Sequence, residues 1–149
     1  MQAQILAPAA ILALWTLVML IWMAGTRFPA MKKAGIDIGA RAGGRGQDLE
    51  GVVDPRAQWK AHNYAHLAEQ PTVFYVVVAI LAIMGASAVD VVLAWIYVAL
   101  RIVHSIWQAT VNKVPVRFAL FAASSLALTV LAVSAVAATL FPDPALTIG

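Results

Sequence analysis

The stretch Ile5 to Gly25, ILAPAAILALWTLVMLIWMAG, decides the fold class, because it holds no charged residue. At ~1.5 Å per residue a helix of this length reaches ~31 Å, enough to cross the ~30 Å hydrocarbon core of a bilayer. Pro8 falls near its start, where a missing N–H does least harm. Arg27, Lys32 and Lys33 follow at once. A cleaved signal peptide carries its basic residues ahead of the apolar run, and none precedes Ile5 here. We therefore read a retained helix that enters with its N-terminus outside.

Working outward, the rest of the chain repeats that character. It has 149 residues, 62% of them hydrophobic and 11% charged, with a mean hydropathy of +0.85. A soluble fold of this length cannot hide so much apolar surface, since soluble chains run near ~25% charged. The net charge of +3 does not imply nucleic acid, because the basic residues cluster beside apolar spans, where anionic lipid and membrane topology account for them. There are no cysteines, which excludes disulfides, thiolate–metal sites and a cysteine nucleophile.

Residues 34–53 form a Gly-rich connector with Arg41 and Arg45 in it. It lacks the GxxxxGK[ST] or strand–GxGxxG–helix context of a phosphate cradle, so we read a flexible linker. Asp54-Pro55 opens a second helix, Asp as N-cap and Pro at the first helical position, running to about Met84. Pro71 lies inside it and is expected to kink it. Ser87 and Asp90 have capping-box spacing for a third helix, about Asp90 to Val111. Pro115 suits the start of a fourth, which runs to about Phe141, where Pro142 and Pro144 stop it. Ala119, Ala123 and Ala127 give that helix a small-residue seam for close packing. The expected fold is an all-α, integral membrane four-helix bundle, one domain over 1–149, with helices about 5–25, 55–84, 90–111 and 115–141.

The first and third connections, with the residues flanking them, hold nine of the ten Lys and Arg residues. The positive-inside rule then puts these connections in the cytoplasm and both termini outside. The tenth is Arg101, inside the third helix, where a charge costs ~2.5–3.5 kcal/mol even on the lenient scale and calls for a partner. Counting residues from the Gly85–Ser87 turn places Glu69 at a similar depth, so we expect a Glu69–Arg101 pair. His62, His66 and Glu69 share one stripe of the second helix, with Asn63 and Gln70 beside them. Arg101, His104 and Gln108 share one stripe of the third. Together they describe either a polar pocket between helices or a buried network that fixes packing. Eight polar groups exceed what packing needs, which favours the pocket. His62 and His66 at i, i+4 also have metal-ligand spacing, but Asn63 stands where HExxH needs Glu, and we expect no metal.

Asn63-Tyr-Ala-His66-Leu-Ala-Glu69-Gln70-Pro71-Thr-Val-Phe74, followed by Arg101-Ile-Val-His104, resembles the MAPEG superfamily, membrane-associated proteins in eicosanoid and glutathione metabolism, and within it the microsomal glutathione transferases. The resemblance implies a homotrimer with glutathione bound between neighbouring subunits near the cytoplasmic side. The family's Asn-x-x-Glu maps onto His66 and Glu69, and its Arg-x-x-Tyr onto Arg101 and His104. Gln70 and Gln108 stand where the family has Tyr. The family's thiol-activating Arg has no counterpart in strict register, and Lys113 and Arg117 are the nearest cations.

The resemblance thus implies a glutathione-dependent transferase or peroxidase acting on lipophilic electrophiles in the membrane. Its rival is a non-catalytic, lipid- or glutathione-binding accessory protein of the same fold. In the first reading Arg101, Arg56 and Lys60 take the two carboxylates of glutathione and Glu69 its ammonium. His104, Lys113 or Arg117 stabilises the sulfur. His62, Asn63, His66, Gln70 and Gln108 complete the binding wall. A free thiol has a pKa near ~8.5, so a cation or donor must favour the thiolate before it attacks.

Overall fold

The computed structural model describes residues 2–37, 39 and 42–142. Arg41 and Pro144 lie outside them. Four helices follow one another: α1 (Gln2–Lys33), α2 (Pro55–Met84), α3 (Ala88–Thr110) and α4 (Val114–Leu140). Each is long and apolar enough to cross a membrane. The described residues hold no strand.

The first helix does not stop at Gly25. It continues through Arg27 and Pro29 to Lys33, because nothing there demands a break until Gly35. That glycine sits at φ +70 and closes a Schellman motif. Its N–H donates to Lys32 O at 3.1 Å and that of Ile36 to Met31 O at 3.1 Å. At ~1.5 Å per residue α1 is longer than the ~30 Å core of a bilayer, and its basic residues Lys32 and Lys33 stand in its last turn. The linker is also less plain than expected. It carries a 3-10 turn over Gly46–Leu49, and the Arg27 guanidinium donates to the Gly46 carbonyl.

The other helices start where their caps require. Asp54 Oδ1 accepts from Arg56 N at 2.7 Å. Ser87 and Asp90 form the reciprocal capping box, which starts α3 at Ala88 and makes Asp90 its third residue. Pro71 is buried inside α2, which runs unbroken past it to its cap at Gly85, φ +97.

The α2–α3 and α3–α4 connections are only a few residues long, so neighbours in sequence pack antiparallel. Helix α1 packs chiefly on α2, and α3 on α4. The buried Ile5, Leu12 and Met19 of α1 recur every seven residues, as do Leu67, Phe74 and Leu81 of α2. Such heptad seams let two helices interlock side by side. Phe74 stacks on Tyr97 of α3 at 4.3 Å. The α4 alanine seam is only partly used within the chain. Ala127 is buried, whereas Ala119 and Ala123 face outward. The packed face of α4 is instead Ser124, Ala127, Leu128, Leu131 and Ala135.

Candidate functional site

On α3 the buried residues Ala94, Tyr97, Arg101, His104, Ser105 and Gln108 fall at helical spacing, so the polar stripe read from sequence does face the other helices. It divides between two environments.

The first is sealed. Ser105, wholly buried, accepts from Asn63 Nδ2 at 2.7 Å and from Trp15 Nε1 at 3.0 Å. One hydroxyl thus ties α1, α2 and α3 together. Arg101 is also wholly buried. Its Nη2 donates to the His66 carbonyl at 3.0 Å. Its Nε and Nη1, like Asn63 Oδ1 and Gln108 Oε1, find no partner among the described residues.

The expected Glu69–Arg101 ion pair does not form within the chain. Glu69 turns outward with its side chain 70% exposed, and its Oε2 lies 3.1 Å from His66 Nδ1. Counting residues fixed the depth of the two groups correctly enough to bring Arg101 to His66, one turn away. It did not fix azimuth, which helix packing decides.

The second environment is open. His66, His104, Val114, Arg117, Phe118 and Phe121 line a cleft of about 200 Å³ where α2, α3 and α4 meet. The two imidazoles lie 5.1 Å apart, and His66 stacks on Phe121 at 5.4 Å. Arg117 is aimed by a backbone device. Asn112 adopts φ +56, a left-handed conformation that Asn tolerates better than most residues. Its N–H donates to Trp107 O at 2.8 Å, and its Oδ1 accepts from Arg117 Nη1 at 2.7 Å. Lys113 stands outside the cleft and is exposed, offering only its carbonyl to Trp107 Nε1 at 3.2 Å.

The remaining candidates lie elsewhere. Arg56 and Lys60 join Lys33 along a separate cleft of about 500 Å³ between α1 and α2. Lys60 Nζ donates to Arg56 O at 2.8 Å and lies 5.7 Å from the Trp22 ring. His62 turns to Glu50 in the linker, Nε2 to Oε1 2.9 Å, and so away from His66. Gln70 donates to Ser125 Oγ at 2.7 Å and accepts from the Tyr97 hydroxyl at 3.4 Å. It opens a groove of about 480 Å³ that runs between α2 and α4 to Val136. Among the described residues no three His, Asp or Glu side chains converge as metal ligands.

A family model, the MAPEG family, matches residues 5–137, from the buried start of α1 to the last turn of α4. The chain belongs to the MAPEG family. No curated protein and no solved structure matches it. The MAPEG match runs through all four long apolar helices, and the chain is an integral multi-pass membrane protein. In this MAPEG chain the two cations that follow α3 differ in place: Arg117 lines the cleft and Lys113 does not. Sequence reasoning missed Ser105, Asn112 and Phe121. Ser105 was findable as the residue one turn from Arg101 on the same stripe. Asn112 was findable as a helix-exit residue, but Phe121 is one apolar residue among many.

Proposed function

We propose that this MAPEG chain is a glutathione-dependent membrane transferase or peroxidase acting on lipophilic electrophiles, with glutathione as co-substrate. The observation that carries the reading is the placement of Arg117, held by Asn112, against His66 and His104 in an open cleft. A guanidinium stays charged at any working pH. Beside a bound thiol it favours the thiolate, the form that attacks an electrophile. The groove leading from Gln70 towards Val136 gives a lipophilic partner a way in from the bilayer.

Glutathione also brings two carboxylates and an ammonium. Lys33, Arg56 and Lys60 suit the carboxylates, and the exposed carboxylate of Glu69 suits the ammonium. The three cations lie on the α1–α2 face, away from the Arg117 cleft, so one copy offers the parts of the site on different faces. A ring of copies sets one face against the other face of the next copy.

Glu69 supports such an assembly. It is exposed halfway along α2, where lipid contact with a charge is costly. It sits among Ala65, Ala68, Thr72 and Ala79, all exposed, a seam of small residues suited to a second helix. A homotrimer is the assembly that the family resemblance implies, and the positive-inside rule places the basic end in the cytoplasm.

Titration of the purified protein with glutathione tests the reading, with ultraviolet difference spectra for bound thiolate and a conjugation assay with a generic electrophile. An acid-shifted thiolate and turnover are expected. Binding without either leaves the accessory-protein reading, and no binding overturns both glutathione readings. Native mass spectrometry from mild detergent should show a trimer that Ala68→Trp disperses.

A further inference from the structure

His66 and Glu69 do something that ligand binding alone does not require. The ring Nδ1 lies 3.1 Å from Glu69 Oε2. A carboxylate only accepts hydrogen bonds, so the pairing places the proton on Nδ1 and leaves Nε2 as the free acceptor. The ring is held on its other sides as well. Phe121 stacks on it at 5.4 Å, and Arg101 of α3 fixes the backbone carbonyl of the same residue. The ring lines the cleft that Arg117 also lines. A nucleophile, a base and a group that orients the base is the general arrangement of activated nucleophiles. Here the last two are present in the chain, and the cleft would receive the first.

We propose that His66 is the general base of the thiol reaction and that Glu69 is its positioning residue. The inference rests on the glutathione reading and adds to it a proton acceptor distinct from the cation that stabilises sulfur. With an α,β-unsaturated ketone as the electrophile, the S–H proton moves to His66 Nε2. The thiolate forms the S–C bond at the β-carbon while the C=C pair shifts to give the enolate. The enolate α-carbon then takes the proton back from Nε2. The sum is a redox-neutral addition with no leaving group. Arg117 carries the charge of the thiolate and later the enolate without giving up a proton. Glu69 has a second oxygen free of His66, so holding the ring and meeting the ligand's ammonium are compatible.

The charged and titratable groups around the ring are Glu69 on its own helix, Arg101 and His104 from α3, and Arg117 from α4.

The test uses the full-length protein in lipid nanodiscs with glutathione and an α,β-unsaturated ketone. His66→Asn keeps a polar group and removes the base. It should lower kcat by ~10²–10⁴-fold and move the acid limb of the pH–rate profile to that of the bound thiol's own ionisation. Glu69→Gln should lower kcat less and keep an acid limb. His66→Ala should regain rate when free imidazole is added, which a structural role would not allow. Where His66→Asn does not fold, the wild type still decides: conjugation with no acid limb overturns the base. So does a His66→Asn protein with unchanged kcat and profile. Wild type that neither binds nor conjugates glutathione overturns the glutathione reading itself, a distinct result.

Discussion

Ser105 and His104 are adjacent on α3 and both buried, yet they live in different chemistry. Ser105 looks towards α1 and α2, where Asn63 and Trp15 both donate to it. His104 looks towards α2 and α4, where it meets an imidazole, a guanidinium and a cleft and, among the described residues, no hydrogen-bond partner. The difference teaches how to read polar residues in a membrane helix. A satisfied group that joins three helices is packing material. An unsatisfied one beside a cation and an opening is available for chemistry. Arg101 falls on neither side of that divide: its Nη2 is tied to the His66 carbonyl, while its Nε and Nη1 lie buried without a partner among the described residues.

The largest expected effect is on the open side. Arg117→Met should lower conjugation on the order of 10²–10³-fold, as loss of a preorganised electrostatic group does, and abolish the bound thiolate signal. Lys113→Met should leave both nearly unchanged. Equal losses from the two would mean that position in the cleft does not matter, and the comparison would break.

On the sealed side, Ser105→Ala leaves two donors without their acceptor. It should cost about 1–2 kcal/mol of stability, read as a lowered midpoint in reversible unfolding in detergent, with the glutathione thiolate signal intact. A variant of normal stability that loses the signal would move Ser105 across the divide.

The smallest expected effect is a null one. Glu69→Gln and Arg101→Met should couple in stability by no more than about 0.5 kcal/mol in dispersed, monomeric protein, because the two side chains do not meet within the chain and are linked only through His66, one at its ring and the other at its backbone carbonyl. A coupling that appears only in the assembled oligomer would show that a neighbouring copy brings them together.

Much of the fold was legible because bilayer physics is coarse. Asp54, Ser87 and Asp90 announced helix starts through local hydrogen bonds that any capping box makes. The misread end of α1 has a local cause too. Gly25 looked like a stop because apolarity ends there, but a helix ends where its backbone is capped, and that is at Gly35. The site was legible as a set of polar residues on two stripes. Its division was not, because a stripe on a helical wheel does not say which neighbour it faces.

Hydropathy, charge asymmetry and capping residues were therefore enough for four spans and a basic end, since these depend on residue type and order along the chain alone. Packing decided that Arg101 would be sealed against a backbone carbonyl, that Glu69 would turn out to hold His66, and that Arg117 rather than Lys113 would reach the cleft. Each of those outcomes is an azimuth about a helix axis. Azimuth is set by how side chains of different helices interlock, a property of the assembled bundle that no single segment carries.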